Sequence, residues 1–323
     1  MVHGGVTLHT DTLRRVGARG DNCCLTWAAD GSQITTMDDG NWLEAEDKYH
    51  FRIYRLKGGP DDFTREDFPG FPDFVMGEGS WFGYGICSVD GQLYCFVSRC
   101  PKNHWSVPYR GMKLLTSRDN GATWYRVNRR GEERLIAPRD EARNIVDAEE
   151  MFFLEEYPVE GAGGVAYPFS YCAIVQNGQD NSAARDDYIY IYSPNGAEVH
   201  RLLLARVRKD SIGVRDSWEY FQAWKDGEPV WTGDILERGA VHVFPEVNAE
   251  GGRFGWYSWL PSVVWNPGLG LLHHGQRGDD GWEGNVGFSG RLLRQLGARG
   301  VEESGILVLG EPLRALDGIL LHR

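Results

Sequence analysis

The chain has no run of 18 apolar residues, no C-x-x-C pair, no block of like charge and no low-complexity linker. The first absence excludes a spanning helix, and the second excludes the common zinc frameworks. The opening Met1-Val2-His3-Gly4-Gly5 has neither a basic n-region nor an apolar h-region, so no export signal is expected there. Basic residues are in deficit: 34 Lys and Arg against 46 Asp and Glu leave a net charge of −12. Surfaces that bind phosphate backbones or anionic membranes need clustered Lys and Arg, so neither nucleic acid nor membrane is expected as a partner. A neutral or cationic ligand suits this balance better. No G-x-S-x-G, P-loop or G-x-G-x-x-G follows a strand, and His273-His274 lacks a third ligand at metal spacing.

What is present favours short strands and tight turns. The 323 residues include 42 Gly, 14 Phe, 12 Trp and 14 Tyr, a mix suited to hairpins and to sugar-stacking surfaces. Cys23 to Trp27 and Gln33 to Met37 read as strands around Asp30-Gly31, and Gly83 to Val89 with Gln92 to Ser98 repeats the pattern around Asp90-Gly91. Lys113 to Ser117 and Trp124 to Val127 form a third unit. Asp187 to Ser193 turns at Pro194-Asn195-Gly196 into Val199 to Val207, and Trp256 to Trp265 turns at Asn266-Pro267-Gly268 into Leu269 to His273. The expectation is an all-β chain forming a single domain over residues 1–323. Residues 129–146 read as a loop with a helical turn, 210–224 as a short surface helix, and 290–323, where Leu and Arg replace aromatics, stays unassigned. Of the six cysteines, Cys23 and Cys24 are adjacent, and Cys87 and Cys95 would lie diagonally across their hairpin, so buried free thiols are expected.

Ser117-Arg118-Asp119-Asn120-Gly121-Ala122-Thr123-Trp124 resembles the Asp-box hairpin of sialidase-like β-propellers. Asp119 can accept backbone N–H bonds within such a turn and Gly121 supplies positive φ, which makes Asp119 a fold residue. The single box says little of substrate. Gly20-Asp21-Asn22-Cys23-Cys24-Leu25-Thr26-Trp27-Ala28-Ala29-Asp30-Gly31, leading to Met37-Asp38-Asp39-Gly40, resembles the opening of the domain-of-unknown-function 4185 family. Residues 176–238 are similar to that family almost throughout, among them Ala184 to Ser193, Leu204 to Asp210 and Trp231 to Ile235. The resemblance spans roughly residues 15–275 and implies a five-bladed β-propeller, with six blades as the alternative. It also implies the activity of glycoside hydrolase family 183, endo-acting enzymes on D-arabinan, with Asp21 and Asp39 at the positions of the catalytic pair. Asp38 stands where that family has Gly, and its Pro-Trp-rich closing segment is not seen here.

The residues themselves support the pair. Glycoside hydrolysis needs one carboxylic acid for the leaving oxygen and one carboxylate as base or nucleophile. A hairpin turning at Asp30-Gly31 brings Asp21 and Asp39 to one open end, with Asp38 as the substitute for Asp39. Trp27, Trp42 and Trp81 are candidates for an apolar wall or sugar platform, and His104, Tyr167, Gln176 and Asp180 for cleft lining. Each has a structural alternative: core packing for the Trp residues, turn capping for the Asp residues, a solvated loop for His104. The expected partner is a polysaccharide or oligosaccharide. No cofactor is required, although the acidic content leaves room for calcium in a propeller channel. The other readings are a polysaccharide lyase using Tyr and His on a uronic acid, and a non-catalytic glycan-binding propeller. An extracellular or periplasmic location rests on analogy alone.

Overall fold

The computed structural model describes residues 19–42, 48–59, 61–104, 106, 108–159 and 164–243, together with the strands of a last sheet between 262 and 308. These residues are all-β, with no α-helix and a few isolated 3-10 turns. The first sheet holds β1 (Arg19–Asp21), β2 (Leu25–Trp27), β3 (Gln33–Asn41), β4 (Tyr49–Lys57), β5 (Thr64–Asp67) and β6 (Phe74–Val75). Both β1 and β2 pair with β3, as two halves of one interrupted first strand. The second is a meander of β7 (Trp81–Val89), β8 (Gln92–Arg99), β9 (Met112–Ser117), β10 (Tyr125–Val127) and β11 (Glu133–Leu135). A hairpin of β12 (Tyr157–Val159) and β13 (Gly164–Ala166) follows. The next meander runs β14 (Ala173–Val175), β15 (Tyr188–Asn195), β16 (Glu198–Arg208), β17 (Glu219–Lys225) and β18 (Glu228–Thr232), with β19 (His242–Val243) on β16. The last runs β20 (Ser262–Asn266), β21 (Leu271–Asp279), β22 (Val286–Leu293) and β23 (Leu307–Val308).

The first strands of successive meanders lie beside one another: β2 by β7, β7 by β14, and β14 by β20. Apolar side chains fill the spaces between the sheets, because each sheet has two faces and each face is covered by the next sheet. Ile34, Phe51 and Ile53 of the first sheet pack with Leu93, Leu115 and Trp124 of the second. Phe82, Tyr84 and Phe96 pack with Ile189, Leu203 and Trp218 of the following one. Val175, Leu204 and Phe221 then meet Val263 of the last.

Turn chemistry sets the hairpins. Asp90 and Gly91 both take positive φ, as do Asp226 and Gly227, and each pair closes a two-residue loop with Val89 opposite Gln92 and Lys225 opposite Glu228. The Ser117 to Trp124 octet bonds within itself. Asp119 accepts from the Ser117 hydroxyl at 2.8 Å, the Thr123 amide at 2.8 Å and the Thr123 hydroxyl at 2.6 Å, while the buried Trp124 indole donates to the Gly121 carbonyl at 3.0 Å. Asp119 is thereby a fold residue.

The structure corrects the helix expected over 210–224. Single 3-10 turns at Lys209–Ser211 and Arg215–Ser217 lead into β17, and the Trp218 indole donates back to the Ile212 carbonyl at 3.0 Å, folding the segment on itself. The helical turn expected in 129–146 is Glu141–Asn144, capped by the Asp140 side chain, but the segment also contains β11. All six cysteines are free, and the register places Ile86 opposite Cys95 and Cys87 opposite Tyr94, so Cys87 and Cys95 are diagonal. In the late hairpin Asn266 pairs with Leu271, while residues 256–261 and 267–270 lie outside the described residues. So does most of 290–323.

Truncating Trp124 to Ala should lower stability by about 3–5 kcal/mol, as for other buried Trp residues. Asp119→Ala, which orphans the Thr123 amide, should cost about 1–2 kcal/mol. Urea unfolding midpoints at constant m-value check both, and an Asp119→Ala variant as stable as the native chain would contradict the fold role.

Candidate functional site

At the leading end of the first strands, β1 and β3 approach unusually closely. A Cβ on Gly40 would meet the Arg19 carbonyl oxygen at 1.3 Å, so only glycine fits there. The pairing slips by one residue in this stretch: Arg19 faces Asn41, but Asp21 faces Asp38. The extra residue sits on β3 at Asp39 and Gly40, and Asp39 takes φ of +52°. A bulge of this kind re-aims the side chain it carries. Thus Asp21 and Asp38 are cross-strand partners, and Asp39 turns toward β4, where Asp38–Phe51 and Gly40–Tyr49 pairing brackets His50.

The carboxyl groups have different environments. Asp38 is fully buried; its Oδ1 accepts the Gly83 amide of β7 at 3.1 Å, and its Oδ2 is buried without a hydrogen-bond partner. Burial, then the nearby carboxylates of Asp21 and Asp39, push the Asp38 carboxyl well above the usual carboxylate range. Burial therefore favours its protonated form. Asp21 is exposed, and the Asn22 amide donates to its Oδ1 at 3.0 Å. The Asp39 side chain is 39% exposed, and its Oδ1 lies 3.2 Å from His50 Nδ1. His50 is buried edge-on against Phe82, with Nε2 at 3.4 Å from the Ser80 hydroxyl. The Ser80 carbonyl in turn accepts from Arg99 at 3.1 Å.

These contacts place Asp21, Asp38 and Asp39 at one end of the molecule. Tyr167 and His104 belong to the same side. Tyr167 donates to Glu156 at 2.6 Å and lies under the Arg110 guanidinium, and Arg110 is bonded through its amide to the Arg99 carbonyl at 2.7 Å. His104 is exposed in the bend that follows β8. The other expected residues lie elsewhere. Trp27 ends β2 at the opposite, turn end, donating to the Gly31 carbonyl at 3.3 Å. Gln176 bonds there to the Thr26 hydroxyl and to the Trp27 carbonyl at 2.8 Å. Asp180 accepts from the Ser88 hydroxyl at 2.6 Å and the Gly91 amide at 2.8 Å. Gln176 and Asp180 therefore staple neighbouring sheets at the end away from the carboxyl groups. Trp42 packs edge-on against Tyr54 and Phe63, and Trp81 is wholly buried, donating to Asn144 at 3.0 Å. Both are core residues, Trp42 within the first sheet's own cluster and Trp81 against Phe74 of the neighbouring sheet, and a sequence pattern cannot distinguish such packing from a cleft wall.

His50, Ser80, Asn22, Arg99 and Arg110 join the site without having been singled out by sequence. His50 carried the one usable signal, since a hairpin register drawn through β3 and β4 sets it opposite Asp39. Among the described residues no group of three or more His, Cys, Asp or Glu side chains is arranged to hold a metal ion.

No family model matches the chain, and no curated protein matches it. Solved structures with loosely similar backbones exist. A Bacteroides ovatus protein provisionally described as a hydrolase aligns at 13% identity and a TM-score of 0.43, over 86% of this chain and 68% of that one. A Hadza microbial sialidase aligns at 14% identity and a TM-score of 0.37, over 86% and 45%. An α-L-arabinofuranosidase of Lactobacillus brevis aligns at 12% identity and a TM-score of 0.33, over 86% and 90%. Likeness at this level says nothing of substrate.

The Asp38 carboxyl has a testable consequence. Its pKa is higher folded than unfolded, so above its ordinary value of 3.8 the native state binds more protons than the unfolded chain. Its contribution to stability therefore falls as pH rises. Asp38→Asn, which keeps the shape without the titration, should flatten the decline of stability between about pH 4 and 8 and be at least as stable as the native protein at the upper limit. Urea midpoints across that range decide, and an unchanged pH slope would contradict the assignment.

Proposed function

We propose that the chain is a glycoside hydrolase acting on a furanose-containing polysaccharide of the D-arabinan type, with Asp21 and Asp39 as its carboxylate pair. The successive meanders, ordered side by side through their first strands, are read as blades of a β-propeller, five-bladed as in the family that the sequence resembles. The observation that supports the catalytic reading is the grouping of exposed Asp21 and Asp39 on either side of the buried Asp38 at the leading ends of those strands, with His50 against Asp39. Neighbouring carboxyls in unlike environments divide acid and base roles at neutral pH.

In this reading Asp21, facing Asp38 across the strand pair, supplies the proton to the leaving oxygen. Asp21 is exposed and takes up from solvent the proton that it gives to the leaving oxygen. Asp39, oriented by the His50 ring, acts on the anomeric carbon either directly or through water. Asp38 is too deeply buried to touch a sugar, so it is a positioning residue between the two.

The test is reducing-end release from arabinan and other furanose-containing glycans. Asp21→Asn and Asp39→Asn, folded by circular dichroism, should each lose about 10²–10⁴-fold in turnover. The two roles separate on aryl glycosides, whose phenolate leaving group needs no proton: Asp21→Asn should recover much of its rate there and Asp39→Asn should not. Full turnover in either variant on the polysaccharide would sink the assignment.

A further inference from the structure

The arginines of this acidic protein are mostly matched to carboxylates. Arg118 meets Glu133, Arg126 meets Glu150 and Arg143 meets Glu78. Even where two arginines converge, at Arg129 and Arg215, both reach Glu155. Arg55, Arg65 and Arg238 lie over aromatic rings instead, whereas Arg99 and Arg110 come together at the leading end. They are backbone neighbours across the pairing that follows β8, with the Arg110 amide on the Arg99 carbonyl at 2.7 Å and the Arg99 amide on the Gly111 carbonyl at 3.2 Å. Among the described residues, no ion pair joins either guanidinium to a carboxylate. Arg99 spends its donors on neutral acceptors: the Ser80 and Lys102 carbonyls at 3.1 and 3.2 Å and the Asn103 side chain at 2.9 Å. Arg110 is exposed and stands 5.8 Å over the Tyr167 ring. The carboxylate on that side, Glu156, accepts the Tyr167 hydroxyl.

Burial first, and then the charge of Arg110, hold the Arg99 guanidinium below its ordinary pKa. An anionic ligand would offset both. Its location connects it to the carboxyl cluster: Arg99 bonds to Ser80, whose hydroxyl lies against His50, which in turn lies against Asp39. Lys102 and His104 extend the basic character of the same loop, and both are exposed.

We propose that Arg99 and Arg110 form a subsite for an anionic group on the glycan, foremost the planar carboxylate of a uronosyl unit next to the cleaved bond. This rests on the leading end being the glycan cleft, and it adds an acidic unit beside the furanosyl bond that is cleaved. A guanidinium fork matches a carboxylate in two parallel hydrogen bonds, and the exposed Arg110 beside the fixed Arg99 gives one mobile and one preset arm. The overall negative charge of the protein, which by itself favours neutral or cationic ligands, is locally reversed at this loop.

Methyl β-D-glucuronide, methyl β-D-glucoside and the glucoside 6-sulfate are suitable probes, with binding followed by ligand-observed NMR and titration. The glucuronide should bind more tightly than the glucoside, and the sulfate should fall between them because its oxygens are not planar. Arg110→Gln should weaken the glucuronide by about tenfold, the loss expected for a charge-assisted hydrogen bond, and leave the glucoside unchanged. Arg99→Gln should do the same, and since it also loses the Ser80 and Lys102 contacts, the exposed Arg110 keeps the test valid should that variant fail to fold. Equal binding of glucuronide and glucoside, or unchanged glucuronide binding in Arg110→Gln, overturns the subsite. The glycosidase reading fails separately: active Asp21→Asn and Asp39→Asn variants remove it and leave the binding result to decide the subsite. Inactive Asp variants with indifferent Arg110→Gln have the opposite meaning.

Discussion

The hydrogen bond from the Gly83 amide to the Asp38 carboxyl joins the first and second sheets where their first strands run side by side, and the rest of the leading end is built around it. For that bond to form, β7 must present a bare backbone to β3. Gly83 does so: a Cβ there would fall 1.9 Å from the Phe51 ring. Closing the gap removes the carboxyl from water, and a carboxyl without water holds its proton unless charge-assisted bonds replace the lost solvation. A single amide does not suffice, and Oδ2 has no partner. The packing of two sheets thereby favours one protonation state, the neutral acid.

That protonation state governs its neighbours. Were Asp38 ionised, three carboxylates would crowd a strand pair whose opposed Cβ atoms lie about 4.5–5.5 Å apart, and the repulsion would act on β1, the short outer half of an interrupted strand. With Asp38 neutral, Asp21 and Asp39 are both accommodated, on opposite sides of it. His50 completes the arrangement by receiving Asp39, and its burial against Phe82 and Ser80 keeps the ring from turning away. The order of the site thus comes from apolar packing on one side of β3 and from the bulge at Asp39 on the other.

How far the sequence shows this depends on the distance over which each signal acts. Asp90-Gly91 and the Ser117 to Trp124 octet are legible because a turn is decided by adjacent residues, through positive φ and local side-chain bonds. Asp21 and Asp39 are legible as neighbours because one hairpin connects them. That Asp21 opposes Asp38 instead is a matter of one residue of register, and the slip arises from the closeness of β1 to β3, which leaves only the Gly40 that permits it as a trace. Ser80, Arg99 and Arg110 come from a different sheet and join Asp39 only through packing between sheets. Trp42, Trp81, Gln176 and Asp180 show the converse, since the residue types that line sugar clefts are also those that fill cores and tie sheets together. Residues 210–224 carry apolar spacing that a helix also satisfies, and the bond from Trp218 to Ile212 selects a folded loop instead.

The two ends of the first strands have been put to opposite uses. At the turn end every polar group named here finds a neutral or complementary partner from another sheet: Gln176 with Trp27, Asp180 with Ser88 and Gly91, Asn120 with Asp30 at 2.9 Å. Bonds of that kind cross sheet boundaries and hold neighbouring sheets in register, each for a net gain of about 1 kcal/mol. At the leading end, among the described residues, the polar groups are mismatched: a buried carboxyl with an unbonded oxygen, and two arginines with no ion pair to a carboxylate. Mismatch lowers stability, so it persists only where the surrounding packing compensates for it and where something besides folding requires it. The staples at one end supply part of that compensation. The leading end thus carries the polar groups that packing between sheets matches least well, and the turn end those that it matches best.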